Sequence, residues 1–314
     1  MSSECEILVY GGINIDLVTR SENFPSPGQT ILGEEFITYA GGKGANQAVA
    51  LSKMGLEVCL LGAVGNDVFG PDLIQGLREK GVMVDEISVL PEHHSGVAVI
   101  NIDKTAQNQI IQVHGANSYN NQKAIVGSID SKKHLKFMLL QLETPIEIST
   151  ALAAKAQEKG ITVMLDPGPT RPIPEELLTY VGIITPNETE AEYLTGIAVT
   201  DVDSSIAAAR ILHKRGIPSV VVKMGAKGAV YLDACKEMYV PAIPVDAIDS
   251  VAAGDAFNGG LTYALYQNWD IETCMRWAVC SGGLATTKTG AQDSMPTLRD
   301  VKKLFESHFK QELF

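Results

Sequence analysis

The segment 249–260, DSVAAGDAFNGG, combines a turn of small residues, a helix start and a single carboxylate. Apolar residues at helical spacing follow Gly254, so the pattern predicts a helix that begins at this turn. The first N–H groups of a helix lack intrahelical acceptors, and small side chains let an anion approach them. Asp255 would then act as the base for an incoming hydroxyl in phosphoryl transfer. An ordinary first-turn Asp in a tightly packed helix has the same sequence pattern.

Two other segments carry polar side chains that suit a hydroxylated ligand. In GGINID (11–16), strand alternation puts Asn14 and Asp16 on one side, where an amide and a carboxylate can bind vicinal hydroxyls. The glycine-rich GGKGANQ (41–47) brings Lys43 and Asn46 to a helix start. It is not a nucleotide P-loop, because neither Ser nor Thr follows Lys43. A polyol site competes here with a simpler interpretation, a stabilised turn and a capped helix.

Three more polar segments follow apolar, strand-like runs. Glu143 ends the run 137–142 just before a proline, where it could reach a substrate or cap the next helix. In TPNETE (185–190), Asn187 and Glu190 form a capping box by pattern. The functional interpretation is that Asn187 contacts nucleotide phosphates and Glu190 positions hydrated Mg²⁺. KMGAKG (223–228) could let the backbone approach a nucleotide, although a turn between two strands would look the same.

The elements that must position these segments alternate between strand and helix patterns. Strand-like runs occur at 7–10, 58–64, 97–102, 137–142, 161–166, 182–185 and 220–223, and helical stretches at 45–54, 71–80, 148–159, 188–194 and 204–215. This alternation predicts an α/β fold, a doubly wound and mainly parallel sheet with helices on both faces. Ligands of such sheets bind beyond the carboxyl ends of the strands.

Two stretches, about 17–39 and 93–112, lack helical periodicity and consist of short alternating segments joined by Pro, Gly and Asn. They predict a small antiparallel sheet that stands apart from the main one. We interpret it as a lid over the site, with ungated surface hairpins as the alternative. Since the sequence contains neither an internal repeat nor a long linker, we expect a single domain over 1–314 that includes the lid.

Composition limits the class of protein. The 25 Lys and Arg against 37 Asp and Glu give a net charge of −12, which argues against nucleic acids and anionic membranes as partners. The cysteines are scattered and odd in number, so they predict neither a disulfide framework nor a zinc site: Cys5, Cys59, Cys235, Cys274 and Cys280. We expect a cytoplasmic protein, since the N-terminal residues do not resemble a signal peptide and no run of 18 apolar residues occurs.

Taken in order, these segments resemble the ribokinase family of carbohydrate kinases. The resemblance spans nearly the whole chain and rests on matching spacing of GGINID, PSPG (25–28), GGKGANQ, QLE (141–143), TPNETE, DSVAAGDAFNGG and GAQ (290–292). It implies a ribokinase-like fold and ATP-dependent phosphorylation of D-ribose at the 5-hydroxyl, which yields ribose 5-phosphate.

The resemblance also assigns roles by position. The sugar would be held by Asn14, Asp16, Gly42, Lys43, Asn46 and Glu143. The base would be Asp255, beside an anion hole at Ala252, Ala253, Gly254 and Asp255. ATP would contact Asn187, Lys223, Gly225, Ala226, Lys227, Gly228 and Gly254, with Glu190 near Mg²⁺ through water. K⁺ beside the anion hole would be held by Asp249, Val251, Ala285, Lys288, Gly290 and Ser294. The chain has Val-Ala-Ala-Gly at 251–254 where many relatives have Thr-Gly-Ala-Gly.

Other functions remain open at this stage. A kinase for 2-deoxyribose, another pentose, a hexose or a nucleoside is the first alternative, and a non-catalytic sugar-binding protein is the second. Asn14 with Asp16 favours a ribose-like sugar, because a deoxy carbon would leave hydrogen bonds unmade. A nucleoside would need an aromatic wall, for which the lid offers only Phe24, Phe36 and Tyr39. We expect a homodimer that buries apolar lid residues, namely Ile31, Leu32, Phe36, Val97 and Val99.

Overall fold

The structure, a computed structural model, describes residues 5–105 and 107–312. In these ranges the strands are β1 (Ile7–Tyr10), β2 (Asn14–Arg20), β3 (Glu35–Gly41), β4 (Val58–Gly65), β5 (Ile87–Leu90), β6 (Gly96–Ile102), β7 (Asn108–Val113), β8 (Phe137–Leu140), β9 (Thr162–Leu165), β10 (Ile183–Ile184), β11 (Ser219–Lys223), β12 (Ala229–Leu232) and β13 (Glu237–Val240). The predicted domain 1–314 and lid segment 93–112 include residues 1–4, 106 and 313–314, which lie outside the described residues.

The helices lie between the strands and at the C-terminal end of the described chain. They are α1 (Lys43–Lys53), α2 (Gly70–Glu79), α3 (Gln122–Ser128), α4 (Ile146–Glu158), α5 (Glu175–Tyr180), α6 (Glu188–Thr195), α7 (Val202–Lys214), α8 (Ala253–Tyr266), α9 (Ile271–Ala285) and α10 (Leu298–Phe309). Among the described residues, no helix has the length and apolarity needed to cross a membrane.

The large sheet has the strand order β13-β12-β11-β10-β9-β8-β1-β4-β5. Its seven strands from β11 to β5 run parallel to one another, and β12 and β13 add an antiparallel edge. The central strand β1 shows why helices must cover both faces. Ile7 and Val9 belong to one hydrophobic cluster, and Leu8 and Tyr10 belong to the other. The predicted doubly wound α/β architecture is therefore confirmed.

A smaller, four-stranded sheet has the order β3-β2-β6-β7, and its separation from the large sheet is also as predicted. The expectation of an antiparallel sheet is wrong, because β2 and β6 pair in parallel. The two hairpins β2–β3 and β6–β7 are antiparallel within themselves. The chain between them passes through β4 and β5 of the large sheet, so no tight turn fixes their relative direction.

Helix α8 packs closely between α1 and α9, and two adjacent glycines allow it. A Cβ atom at Gly259 would lie 2.6 Å from the Cβ of Ala50 in α1. A Cβ atom at Gly260 would overlap the hydroxyl of Ser281 in α9. Close packing of α1 against α8 brings the two predicted helix starts of the site together.

Candidate active site

The strand order of the large sheet reverses between β1 and β8. From β1 the chain proceeds outward to β4 and β5, whereas from β8 it proceeds in the opposite direction to β11. A crevice opens at the carboxyl ends of the strands at such a reversal, and open α/β sheets bind their ligands there. Gly12 follows β1 and Glu143 follows β8. A Cβ atom at Gly12 would overlap the Glu143 carboxylate, so the glycine is needed for these loops to meet.

The residues predicted to hold a sugar lie together in this crevice. Asn14 and Asp16 come from the start of β2, and both are buried. The Asn14 amide Nδ2 donates to Glu143 Oε1 at 3.3 Å, and the backbone N–H of Lys43 donates to Glu143 Oε2 at 2.7 Å. From β7 of the small sheet, Gln112 Nε2 also donates to Glu143 Oε1, at 2.7 Å. The cluster therefore joins both sheets around one buried carboxylate.

Helix α1 begins directly after Gly42, whose φ of 92° is a left-handed conformation that favours glycine. A Cβ atom at this position would lie 2.5 Å from the carbonyl oxygen of Gly12. The first amide of the helix, that of Lys43, is already bound by Glu143. The Asn46 N–H bonds back to the Gly42 carbonyl at 2.8 Å, as the helix pattern requires.

Asp255 is the third residue of α8, and its side chain is buried. Its carboxylate accepts hydrogen bonds from Asn46 Nδ2 at 2.9 Å and from Gln47 Nε2 at 3.0 Å. Both donors lie in α1, so the packing of α1 on α8 fixes the orientation of the carboxylate. Burial raises the pKa of Asp255 to about 6, and the nearby Lys43 ammonium opposes the rise.

Two other groups in the crevice have shifted pKa values. Burial, together with the carboxylates of Glu143 and Asp255, raises the pKa of Asp16 to about 7. For Lys43 burial favours the neutral amine, but Asp166 and Asp255 outweigh it and raise the pKa, so the side chain remains an ammonium at neutral pH.

The start of α8 leaves backbone donors open. Ala252 precedes the helix with φ 58° and offers no side-chain cap. The Ala253 N–H donates to the Ser250 carbonyl at 3.3 Å. Within the described ranges, the next two amides, those of Gly254 and Asp255, find no acceptor. A Cβ atom at Gly254 would lie 3.3 Å from Lys223 Nζ, so an ammonium group lies beside these open amides.

The predicted nucleotide residues occupy neighbouring loops at the same edge of the sheet. Asn187 and Glu190 form the capping box that starts α6, each side chain bonding the other's backbone N–H at 2.8 Å. The Lys223 N–H donates to the Pro186 carbonyl at 2.8 Å and joins this loop to the end of β11. Residues 225–227 form an exposed turn between β11 and β12. The Lys227 ammonium donates to the Thr200 carbonyl.

Among the residues predicted to hold K⁺, Asp249 has the most informative contacts. Its carboxylate accepts the Val251 N–H and the Gly290 N–H, each at 3.0 Å. These bonds bring the segments around 249–251 and 290 together next to the start of α8. Ser294 is buried and donates to the Ala291 carbonyl at 2.9 Å. Ala285 ends α9, whereas the Lys288 side chain is exposed.

Asp166, which directly follows β9 and is buried, was not among the predicted site residues. It accepts hydrogen bonds from Lys43, Gln47 and Asn258. Gln47 lies in the GGKGANQ motif but was not predicted to be a site residue. Its side-chain amide donates to Asp166 and also to Asp255, the predicted base. The available signal for Asp166 was its position, a carboxylate at the carboxyl end of a predicted parallel strand.

The arrangement combines a buried, oriented carboxylate, open helix amides, two ammonium groups and a cluster suited to hydroxyls. These are the components that phosphoryl transfer to an alcohol requires. The fold and the crevice together define a small-molecule kinase that acts on a polyol.

Comparison with known proteins identifies the family. Residues 5–298 match the pfkB family carbohydrate kinase, and the chain belongs to that family. It is 35% identical over 300 residues to a ribokinase of Haemophilus influenzae, covering 96% of this chain and 98% of the relative. It is also 35% identical over 299 residues to a deoxyribokinase of Salmonella typhi, covering 95% and 98%.

A solved structure, Arabidopsis thaliana ribokinase complexed with ribose and ATP, is similar to this chain with a TM-score of 0.88. The two share 32% identity, and the match covers 96% of this chain and 98% of that chain. The resemblance to the ribokinase family that the sequence motifs indicated is thereby confirmed.

Proposed function

We propose that this protein is a ribokinase, which transfers the γ-phosphoryl group of ATP to the 5-hydroxyl of D-ribose. The observation that carries the proposal is the position of Asp255. Its carboxylate is held by the side-chain amides of two α1 residues in the same crevice as the Asn14–Asp16–Glu143 cluster. Asp255 also lies in the first turn of α8, whose Gly254 and Asp255 backbone amides are open. The ribokinase relatives support ribose as the substrate.

In the proposed reaction Asp255 takes the proton of the sugar hydroxyl as its oxygen attacks the phosphoryl group. A pKa near 6 suits this role, because the carboxylate is ionised at neutral pH yet basic enough to accept a proton. The open amides of Gly254 and Asp255, with the Lys223 ammonium beside them, stabilise the charge that develops on the transferred group. Asn14, Asp16, Lys43, Asn46 and Glu143 hold the sugar hydroxyls.

Residues 187–190 fit hydrated Mg²⁺. Glu190 uses Oε2 to accept the Asn187 N–H, so Oε1 is available near Gly168 and Lys43. In the described part of the chain, no three His, Cys, Asp or Glu side chains are grouped to hold a metal. A single carboxylate suits an ion that keeps most of its water shell and binds phosphates. When bound, Mg²⁺ would offset the phosphate charge.

We also propose K⁺ as an activator at the loop beside α8. Because the Asp249 carboxylate is engaged by the Val251 and Gly290 amides, the donors to the ion would be mainly carbonyl oxygens. Such oxygens suit K⁺. Lys288 could contribute only its backbone carbonyl, because its side chain is exposed and carries no acceptor atom. The ion would set the shape of the loop that precedes Ala252.

The small sheet would act as the lid of the crevice and as a dimer interface. Gln112 of β7 donates to Glu143, so the small sheet already contacts the crevice over which it would close. Leu32, Phe36 and Ile111 are 93%, 63% and 64% exposed, an apolar surface that a second copy could bury. A monomeric mass in light scattering at micromolar concentration would contradict dimerisation. Because no disulfide joins the cysteines in the described part of the chain, we infer a cytoplasmic enzyme.

2-Deoxyribose is the second candidate substrate, because deoxyribokinases are among the relatives at the same identity. The buried Asn14 and Asp16 favour ribose, since a deoxy carbon beside them would leave polar groups without hydrogen bonds.

The experiment that tests the proposal is ADP release with MgATP and ribose, 2-deoxyribose, fructose or adenosine, with and without K⁺. We expect turnover with ribose, stimulation by K⁺, and a loss of about 10²–10⁴-fold in kcat for Asp255→Asn. Asp300→Asn is the matched control, because Asp300 is also the third residue of its helix but lies outside the crevice. Turnover with another sugar instead of ribose would change the substrate assignment. Full activity of Asp255→Asn would refute the proposal that Asp255 is the base.

A further inference from the structure

Four polar groups surround one carboxylate oxygen of Asp166, three as hydrogen-bond donors and one as an ion-pair partner. Oδ2 lies 3.3 Å from Lys43 Nζ and 3.7 Å from Lys223 Nζ. It also accepts hydrogen bonds from Gln47 Nε2 and Asn258 Nδ2, both at 3.0 Å. The Asp166 side chain is 1% exposed, so these protein groups provide the solvation of Oδ2.

The four groups come from three elements that serve different parts of the proposed reaction. Lys43 and Gln47 lie in α1 on the sugar side, and Asn258 lies in α8, one turn beyond the base. Lys223 ends β11 and has its ammonium beside the open amides of α8. The Gln47 amide donates to Asp166 and also to Asp255 Oδ1, so it bridges the two carboxylates.

The charges in this part of the crevice require a carboxylate at this position. The two ammonium groups, both near one oxygen, would repel each other in a buried site without a shared counter-charge. Burial raises the pKa of Asp166, but Lys223 and Lys43 outweigh it and hold the pKa below its usual value. Asp166 is therefore ionised at neutral pH and is not a second base.

We propose that Asp166 is a positioning residue for phosphoryl transfer, which holds Lys43 on the sugar side and Lys223 beside the anion hole and orients Gln47 against the base. This inference rests on the proposed function for its catalytic meaning. Its electrostatic part concerns the resting protein alone and can be tested without turnover.

The test is the titration of the Asp255 carboxyl, followed by ¹³C NMR in protein with ¹³Cγ-labelled Asp. The charged groups that face Asp255 are Lys43 from α1, Asp166 after β9 and Asp16 from β2. Asp166→Asn keeps the side-chain shape and removes one negative charge, while Lys43 stays. We therefore expect the midpoint to fall by about 1 pH unit. The acid limb of kcat should move to lower pH with it, and the plateau of kcat should fall about tenfold.

The matched control is Asp130→Asn. Asp130 also bridges two lysines, with Oδ1 at 3.1 Å from Lys155 Nζ and 3.3 Å from Lys159 Nζ, but it lies on the surface. The Asp255 midpoint and kcat should stay unchanged in this variant. An unchanged Asp255 midpoint in Asp166→Asn, or an equal shift in both variants, would overturn the proposal.

A second pair of variants keeps the test decisive if Asp166→Asn does not fold. Lys223→Met with Asp166→Asn removes one positive and one negative charge together, so it leaves no additional net charge in the crevice. The Asp255 midpoint of this double variant should lie below that of Lys223→Met alone, and equal midpoints would contradict the proposal. Because this readout needs no substrate, it stands even if the protein phosphorylates none of the sugars tested.

Discussion

Helices α1 and α8 begin in similar ways but differ in what binds their first amides. Both follow a residue with positive φ, Gly42 at 92° and Ala252 at 58°, and neither start has a side-chain cap. At α1, the Glu143 carboxylate of this chain binds the Lys43 N–H at 2.7 Å. At α8, the amides of Gly254 and Asp255 find no acceptor among the described residues.

Two consecutive open amides at α8 suit an anion, whereas the first amide of α1 is already bound by a carboxylate of this chain. The α1 start instead connects the loops that follow β1 and β8 with the Asn14–Asp16–Glu143 cluster. The α8 start keeps its donors for a ligand, and we expect that ligand to be a phosphoryl group. Substitutions at the two starts should therefore have different consequences.

The largest effect should come from closing the space at the α1 start with Gly42→Ala. The new Cβ would lie 2.5 Å from the Gly12 carbonyl oxygen, so the loop that positions Asn14 must shift. We expect the KM for ribose to rise by more than about 100-fold and the melting temperature to fall. Gly55→Ala is the control, since Gly55 has φ 88° with nothing within 4 Å of its Cβ position. It should lose about 1–2 kcal/mol of stability with an unchanged KM. Equal KM values in the two variants would contradict the proposal that the α1 start positions the loop of Asn14.

Glu143→Gln should have the next largest effect, because it removes the negative charge that binds the first backbone N–H of α1. Hydrogen bonds to a charged group contribute about 1.5–3 kcal/mol, so we expect the KM for ribose to rise about 10–100-fold. The kcat should change less, since Glu143 does not contact Asp255. Steady-state kinetics would measure both, with the exposed Glu237→Gln as control. A fall in kcat at constant KM would instead place Glu143 with the phosphoryl site.

The smallest effect should come from Ala252→Gly at the α8 start. An Ala at φ 58° costs about 1–2 kcal/mol relative to right-handed backbone, and the greater unfolded-state entropy of glycine offsets part of the gain. We expect the free energy of unfolding in urea to rise by about 0.5 kcal/mol, with kcat within about twofold. Ala253→Gly, at a right-handed helical position, should instead destabilise the protein. A loss of stability in both variants would show that Ala252 is not strained.

Much of the site could be predicted from the sequence because its segments are local. The α8 start, the capping box at Asn187 and the polar ends of β1 and β8 all lie within short runs whose spacing fixes their geometry. The alternating pattern likewise predicted the large parallel sheet and the separation of the small one.

What could not be predicted depends on contacts between distant segments. Asp166 appears in the sequence as the end of a buried strand, and its partners Lys43 and Asn258 lie 123 and 92 residues away. The parallel pairing of β2 with β6 could not be predicted for the same reason, because the chain between these strands passes through another sheet. The left-handed conformation of Ala252 had no sequence signal, since alanine does not favour it.

The hydrogen bond between Asn46 and Asp255 spans 209 residues, whereas that between Asn14 and Glu143 spans 129. This difference sets an order of maturation during synthesis on the ribosome. At roughly 5–20 residues per second, a nascent chain contains the Asn14–Asp16–Glu143 cluster several seconds before it contains Asp255, the proposed base. A chain that stops in this interval contains the residues proposed to recognise the sugar but lacks the residue proposed to activate it, so recognition and reaction are completed at different times during synthesis.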